Sequence, residues 1–152
     1  MEKPLHDFFE GRSRHSLDEK GRLAIPARFK EVLEKRGDSS LVVTNLNNCL
    51  VAFAGDDWQR IKEKAASLPM FDAAANIYFR YFVSGAVACS LKQGRILIPQ
   101  DLRELAQLKK EVVLVGHLNR FEIWDKEKWE EEFERAKEAF PNASQSLSDL
   151  GV

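Results

Sequence analysis

The hydrophobic positions of this chain fall into short β-like runs and longer helical stripes, in an order that occurs twice. In the first half, residues 5–14, with Phe8 and Phe9, read as a short strand, residues 16–21 as turn material and Arg22-Leu23-Ala24-Ile25 as a second strand. Pro26 suits the first turn of a helix, where its missing N–H costs nothing. Phe29, Val32 and Leu33 follow at helical spacing, and Gly37 is a natural stop. Residues 41–44 and 49–53 are apolar and β-branched, and the Asn45-Leu46-Asn47-Asn48 between them predicts a hairpin. Asp56 is placed to cap a helix bearing Trp58, Ile61, Ala65 and Leu68, which Pro69 ends.

Asp72 is placed to cap a further helix through Ala73-Ala74-Ala75, with Tyr78, Phe79 and Phe82 as its apolar face. A strand beginning near Tyr78 is the alternative, because aromatic residues also favour strands. The order then starts again: residues 83–90 as strand, Lys92-Gln93-Gly94 as turn and residues 95–98 as strand. Pro99 opens a helix bearing Leu102, Leu105, Ala106 and Leu108. Residues 112–115 and 121–124 form a second hairpin. Asp125 is the expected cap of a last helix with Trp129, Phe133, Ala136 and Phe140 on one face, terminated by Pro141 and followed by a serine-rich, frayed tail.

The two halves share more than their order. Asp18-Glu19-Lys20-Gly21-Arg22-Leu23-Ala24-Ile25-Pro26 is answered by Leu91-Lys92-Gln93-Gly94-Arg95-Ile96-Leu97-Ile98-Pro99. Gly11 answers to Gly85, Lys30 to Arg103 and Trp58 to Trp129, with the offset drifting from 74 residues at the glycines to 71 at the tryptophans. Loops tolerate such length changes and packed elements do not, so the pattern is that of two diverged copies. The expected organisation is a first repeat over residues 5–70, a connecting segment over 71–83, a second repeat over 84–140 and a flexible tail over 141–152.

A chain of 152 residues, 44% hydrophobic and 31% charged, has the size and composition of one globular domain or of two halves sharing a core. No apolar run approaches the roughly 20 residues of a membrane span, so no membrane partner and a cytoplasmic address are expected. Cys49 and Cys89 are isolated, and His6, His15 and His117 are scattered, which points to buried free thiols and to no metal site. The formal net charge of −1 argues against indiscriminate coating of nucleic acid, yet it hides a polarity. Residues 11–30 carry six bases against two acids, whereas residues 122–149 carry nine acids against four bases. Positive charge is concentrated at the first loop.

Two in-register copies of Gly-Arg-x-x-Ile-Pro, with Val112-Val113-Leu114-Val115-Gly116 and Phe121-Glu122-Ile123-Trp124-Asp125 behind the second, closely resemble the bacterial MraZ family over about residues 5–135. The resemblance implies an α+β fold in which two SpoVT-AbrB-type, swapped-hairpin repeats make an intrachain pseudo-dimer with a β-barrel-like core and peripheral helices. It further implies a nucleoid-associated transcriptional regulator, usually a repressor including of its own operon. Its expected partner is double-stranded DNA carrying direct repeats upstream of the division and cell-wall gene cluster. The resemblance also implies a ring-shaped homo-oligomer, and no cofactor or small-molecule substrate. The family's DNA-contacting motif is an Asp, three residues and an Arg. The first copy has it as Asp18 and Arg22; the second keeps Arg95 but has Leu91 in place of the acid.

Elementary chemistry supports the same loops. Arginine presents a planar fork of donors that fits a phosphate or guanine O6 and N7, in a major groove that admits a two-stranded β-ribbon. Arg22 and Arg95 are therefore the principal candidates, Lys20 and Lys92 the phosphate contacts, and Arg12 and Arg14 peripheral helpers. Asp18 is expected to organise its loop by accepting backbone hydrogen bonds, and Gly21 and Gly94 to permit positive φ or close approach. The competing reading has both arginines bonding barrel carbonyls or forming inter-subunit ion pairs, with the lysines merely solvated. Two other function classes stand beside DNA binding. One is an antitoxin-type protein-interaction module using the acidic last helix and the C-terminal tail. The other is an enzyme built on His15 and Asp18, for which the sequence supplies no nucleophile, metal site or phosphate-cradling loop.

Overall fold

In the computed structural model, which describes residues 8–152, each repeat supplies four strands, and every one of the eight pairs with a strand of the other repeat. The first repeat gives β1 (Arg12–Ser16), β2 (Arg22–Ala24), β3 (Ser40–Leu46) and β4 (Cys49–Ala54). The second gives β5 (Val87–Ser90), β6 (Arg95–Leu97), β7 (Glu111–Gly116) and β8 (Arg120–Asp125). Six of them form one antiparallel sheet in the order β1-β7-β8-β4-β3-β5, while β2 and β6 form a separate ribbon. Each repeat thus lends its first strand to the other's hairpin: β1 pairs with β7, and β5 with β3.

The registers obey a pseudo-two-fold. Leu50 faces Ile123 and Ala52 faces Phe121 across the β4–β8 seam, and Arg22 faces Leu97 as Ala24 faces Arg95 in the ribbon. The result is an α+β fold in which two AbrB-like swapped-hairpin repeats form an intrachain pseudo-dimer with a barrel-like core. The helices α1 (Ala27–Lys35), α2 (Gly55–Ala66), α3 (Ala73–Tyr78), α4 (Gln100–Leu105) and α5 (Lys126–Ser148) lie outside it.

The ribbon is placed by its period of two. Leu23, Ile25, Ile96 and Ile98 are buried, so the alternate positions Arg22 and Arg95 are forced outward. Behind them Phe9, Phe29 and Phe121 make a three-ring cluster with centroids 5.3, 5.1 and 4.8 Å apart. Burying each such side chain contributes on the order of 1.5–3 kcal/mol, so the core fixes the ribbon far more firmly than its own few ladder bonds do. Cys49 and Cys89 are both buried free thiols, as the sequence suggests.

Several boundaries differ from the sequence reading. The proposed strand over residues 5–14 falls partly outside the described residues, and within them β1 starts at Arg12. The β3–β4 turn is tighter than four residues: Asn45 and Leu46 belong to β3, and Asn47 turns the chain at φ +57°. Residues 79–83 form a π-helical turn continuing α3, so the strand begins at Val87 instead of residue 83. Side chains from β3 hold that turn, since the Thr44 hydroxyl donates to the Phe82 carbonyl at 2.7 Å and Asn45 Nδ2 to that of Tyr81 at 3.0 Å. Leu68 and Leu105 lie outside the core.

The caps divide similarly. Asp72 caps α3 by accepting from the Ala75 N–H at 2.9 Å. Asp56 does not cap α2. The helix starts at Gly55 with Ala54 in the N-cap position, two residues before an Asp56 cap would place it, and Asp38 Oδ2 accepts from the Gly55 N–H at 2.6 Å, leaving Asp56 and Asp57 to pair with Arg36 and Arg60. Asp125 occupies the N-cap position of α5 without a capping bond; its carboxylate instead takes the Lys109 backbone N–H at 3.1 Å and Nζ at 3.2 Å. Pro141 does not end α5, which continues through it to Ser148. A proline removes one hydrogen bond and crowds the preceding turn; every residue from 133 onward is exposed, so water can serve the carbonyl so orphaned.

Candidate nucleic-acid interface

The first loop is built around one carboxylate. Asp18 Oδ1 accepts the backbone N–H of Lys20 at 2.9 Å and of Arg22 at 2.8 Å, which closes the turn, while Gly21 takes φ +87°. Asp18 Oδ2 accepts Arg22 Nε at 2.5 Å and also Arg95 Nη1, from the second repeat, at 3.4 Å. The backbone bond from Arg22 is the main reason the Asp18 carboxyl is held down at about 2. Asp18 is therefore charged at any physiological pH.

The second loop reaches a similar shape by another route. Leu91 packs half-buried against the core and donates its N–H to the Ser39 carbonyl at 2.9 Å. The hairpin then closes one residue later, through reciprocal backbone bonds between Lys92 and Arg95 at 2.8 and 3.0 Å. Gln93 and Gly94, at φ +53° and +76°, form the two-residue turn such hairpins require. The replacement of the motif acid thus leaves a tight loop, and Arg95 shares the carboxylate of the first repeat.

Each loop is also locked by the opposite repeat. Gly21 O accepts from the Ile98 N–H at 3.0 Å and Gly94 O from the Ile25 N–H at 2.9 Å. Arg103 lies over Gly21, where an added Cβ would sit 2.6 Å from its guanidinium, and Lys30 lies over Gly94 in the related position. These two cations were not among the sequence candidates. Their mutual correspondence in the repeat was visible, but only the fold places each against the other half's loop.

The structure therefore gathers Asp18, Gly21, Arg22, Gly94 and Arg95, with Lys20 on the first loop and Lys92 on the second. Arg22, Lys92 and Arg95 border a groove of about 680 Å³ beside the edge strand β5. The side chains of Arg22 and Arg95 are 41% and 37% exposed, and each engages Asp18 through one nitrogen, so most of their N–H donors can reach an outside acceptor. Arg12 is not part of this set: its guanidinium stacks 5.0 Å from the Phe133 ring. Arg14 lines a separate hollow with Glu111 and Lys126. His15 bonds Ser13 and not Asp18, so the pair weighed for catalysis is not formed. Among the described residues no group of three or more His, Cys, Asp or Glu is arranged to hold a metal ion.

The two-repeat sequence is shared with known proteins. The family model described as "MraZ protein, putative antitoxin-like" matches the chain twice, over residues 8–80 and 82–150. The chain belongs to the MraZ family. The two MraZ matches divide it at the same place as the strand exchange, with one swapped hairpin in each. Relatives named transcriptional regulator MraZ include those of Desulforamulus reducens, 43% identical over 94% of this chain and 99% of its own length, and Natranaerobius thermophilus, 40% identical over 95% and 100%. That of Desulfitobacterium hafniense is 43% identical over 95% of this chain and its full length.

Proposed function

We propose that this MraZ chain is a sequence-specific DNA-binding regulator of transcription, which presents the two ribbon loops to the DNA groove. The supporting observation is the convergence of Arg22 and Arg95 on Asp18. Two arginine forks, related by the pseudo-two-fold, are held at one place with their remaining donors outward, and Lys20 and Lys92 flank them. Arginine forks read base edges and lysines neutralise phosphates, so such a surface suits a groove with a phosphate on either side.

In this reading the chain binds direct repeats upstream of the division and cell-wall gene cluster, represses that operon including its own gene, and acts as a ring homo-oligomer in the nucleoid. One protomer makes few contacts; several held in a ring multiply affinity through effective concentration, on the order of a hundredfold. The test is competition binding of a fragment from upstream of its own gene against shuffled DNA of equal length. The reading expects a preference of on the order of 10³ or more for the upstream fragment, and equal binding to both would overturn it.

A protein-interaction module of antitoxin type is the second reading, favoured by the long, exposed α5. It expects that removing residues 141–152 abolishes regulation while leaving DNA binding intact.

A further inference from the structure

We propose that Leu97 is a base-reading residue, which takes the 5-methyl group of a thymine beside the base engaged by Arg22. The inference deepens the DNA reading above and rests on it.

The period of two that turns Arg22 and Arg95 outward acts on two further residues of the ribbon. Ile96 and Ile98 hold the inward positions, and Leu97 between them is 55% exposed. Leu97 is the cross-strand partner of Arg22, as Ala24 is of Arg95, so each arginine shares the outer face with one apolar residue. Leu97 also borders the same groove as Arg22, Lys92 and Arg95. Single exposed leucines are ordinary on a protein surface. What sets this one apart is its place opposite a guanidinium that itself reaches solvent.

Base edges in the major groove offer hydrogen-bond donors and acceptors and one apolar group, the thymine methyl, which apolar side chains meet. A guanidinium on guanine O6 and N7 and an aliphatic side chain on a neighbouring thymine are compatible, because both targets lie on the floor of one groove. Cross-strand partners stand roughly 5 Å apart at Cβ, and successive base pairs about 3.4 Å apart. A residue opposite Arg22 therefore reaches an adjacent base pair, and a leucine there covers a methyl that would otherwise stay in water.

The pseudo-two-fold makes the two ends of the ribbon unequal. Ala24, in the place related to Leu97, is too short to cover a methyl in the same way. The loops differ in the same sense. Residues 18–21 carry two acids against one base, whereas residues 92–94 carry Lys92 and no acid, and the Lys30 ammonium lies over Gly94. The Arg22 end is the more apolar, which suits base edges, and the Arg95 loop is the more cationic, which suits phosphate. Two equal ends would fit a site of two-fold symmetry. Unequal ends fit a box with a direction, as each member of a set of direct repeats has.

The test is binding of wild type, Leu97→Ala and Lys92→Gln to the upstream fragment with each thymine in turn replaced by uracil, which removes the methyl and keeps the pairing. Leu97 is exposed, so Leu97→Ala should leave far-UV circular dichroism and the sedimentation of the DNA-free chain unchanged. Wild type should lose about fourfold in affinity at one thymine in each box, the equivalent of one buried methyl group. Leu97→Ala should bind the unsubstituted fragment at least about fourfold more weakly and lose nothing further at that thymine. Its log–log salt slope should match that of wild type, because leucine neutralises no phosphate. Lys92→Gln should do the reverse, with a shallower slope and the uracil effect intact. A wild type that selects the upstream fragment but is indifferent to uracil at every position, or a Leu97→Ala chain that keeps the full uracil effect, would overturn the proposal and leave the DNA reading standing. Altered assembly of Leu97→Ala would also overturn it, by making Leu97 a contact between chains. If wild type showed no preference for the upstream fragment over shuffled DNA, the DNA reading itself would fall, and this inference with it.

Discussion

At the residue scale, Asp18 is the hinge of the site, serving two arginines and two backbone amides at once. Its carboxyl sits at about 2, below the ordinary carboxylate value, so its contribution to loop order is complete above about pH 4 and is lost as pH falls through 2. A side-chain carboxyl titration by NMR should give a midpoint near 2 for this residue; an ordinary carboxylate midpoint would mean that the bonds to Arg22 do not persist in solution. Asp18→Asn keeps an oxygen for the backbone amides but removes the charge that aims both guanidinium groups. The preference for the upstream fragment over shuffled DNA should fall about tenfold, within the 1–3 kcal/mol that a well-aimed arginine contributes to discrimination, while affinity for random DNA rises. That Asp18 organises its own loop could be read from the sequence, because Asp followed by Gly at a turn has few other uses. That it also holds Arg95 could not, since the pairing spans 77 residues and exists only through the β2–β6 ribbon. The thiols are a simpler matter. Burial raises Cys89 to about 11 and, with the nearby Glu122 charge, raises Cys49 further, so neither should react with a disulfide reagent at about pH 8 until the chain is unfolded.

At the scale of elements, the hairpins, the ribbon strands and the proline-led helices α1 and α4 were legible because each has a local cause: β-branched runs, an asparagine or glycine turn, a proline at the first helical turn. The π-helical turn over Phe79–Val83 has a distant one. It is fixed by Thr44 and Asn45, whose bonds to Phe82 and Tyr81 reach across 38 and 36 residues, and by the rings around Trp58. Phe82→Ala should accordingly cost about 3–5 kcal/mol in a denaturant melt, the range for deleting a buried aromatic side chain, although a local reading would place Phe82 in a connecting segment. The end of α5 errs in the other direction. Proline at position 141 reads locally as a stop, yet the helix passes through it with no packing against the sheet beyond its first turns. Pro141→Ala should slow hydrogen exchange after residue 137, since proline costs about 3 kcal/mol relative to alanine inside a helix; unchanged exchange would mean that this end of α5 is frayed in solution whichever residue stands at 141.

At the scale of the whole molecule, the repeat is the organising fact. A homodimer's strand exchange is carried out within one chain, and the two halves have then diverged where symmetry was not needed. Leu91 packs half-buried against the core where its counterpart Asp18 organises a loop and reaches Arg95, and α5 runs on where its counterpart α2 is followed by a returning chain. Sequence comparison of the halves showed the pairing of elements but not the sharing of one carboxylate, since that depends on the two loops meeting. The central claim is that these loops bind DNA, and the observed binding constant as a function of salt tests it most directly. Wild type should give a steep log–log slope. A folded Arg22→Ala/Arg95→Ala chain should give one shallower by about 0.9 for each phosphate that its protomers no longer neutralise, with the preference for the upstream fragment gone. An unchanged slope and an unchanged preference in that double variant would contradict the account.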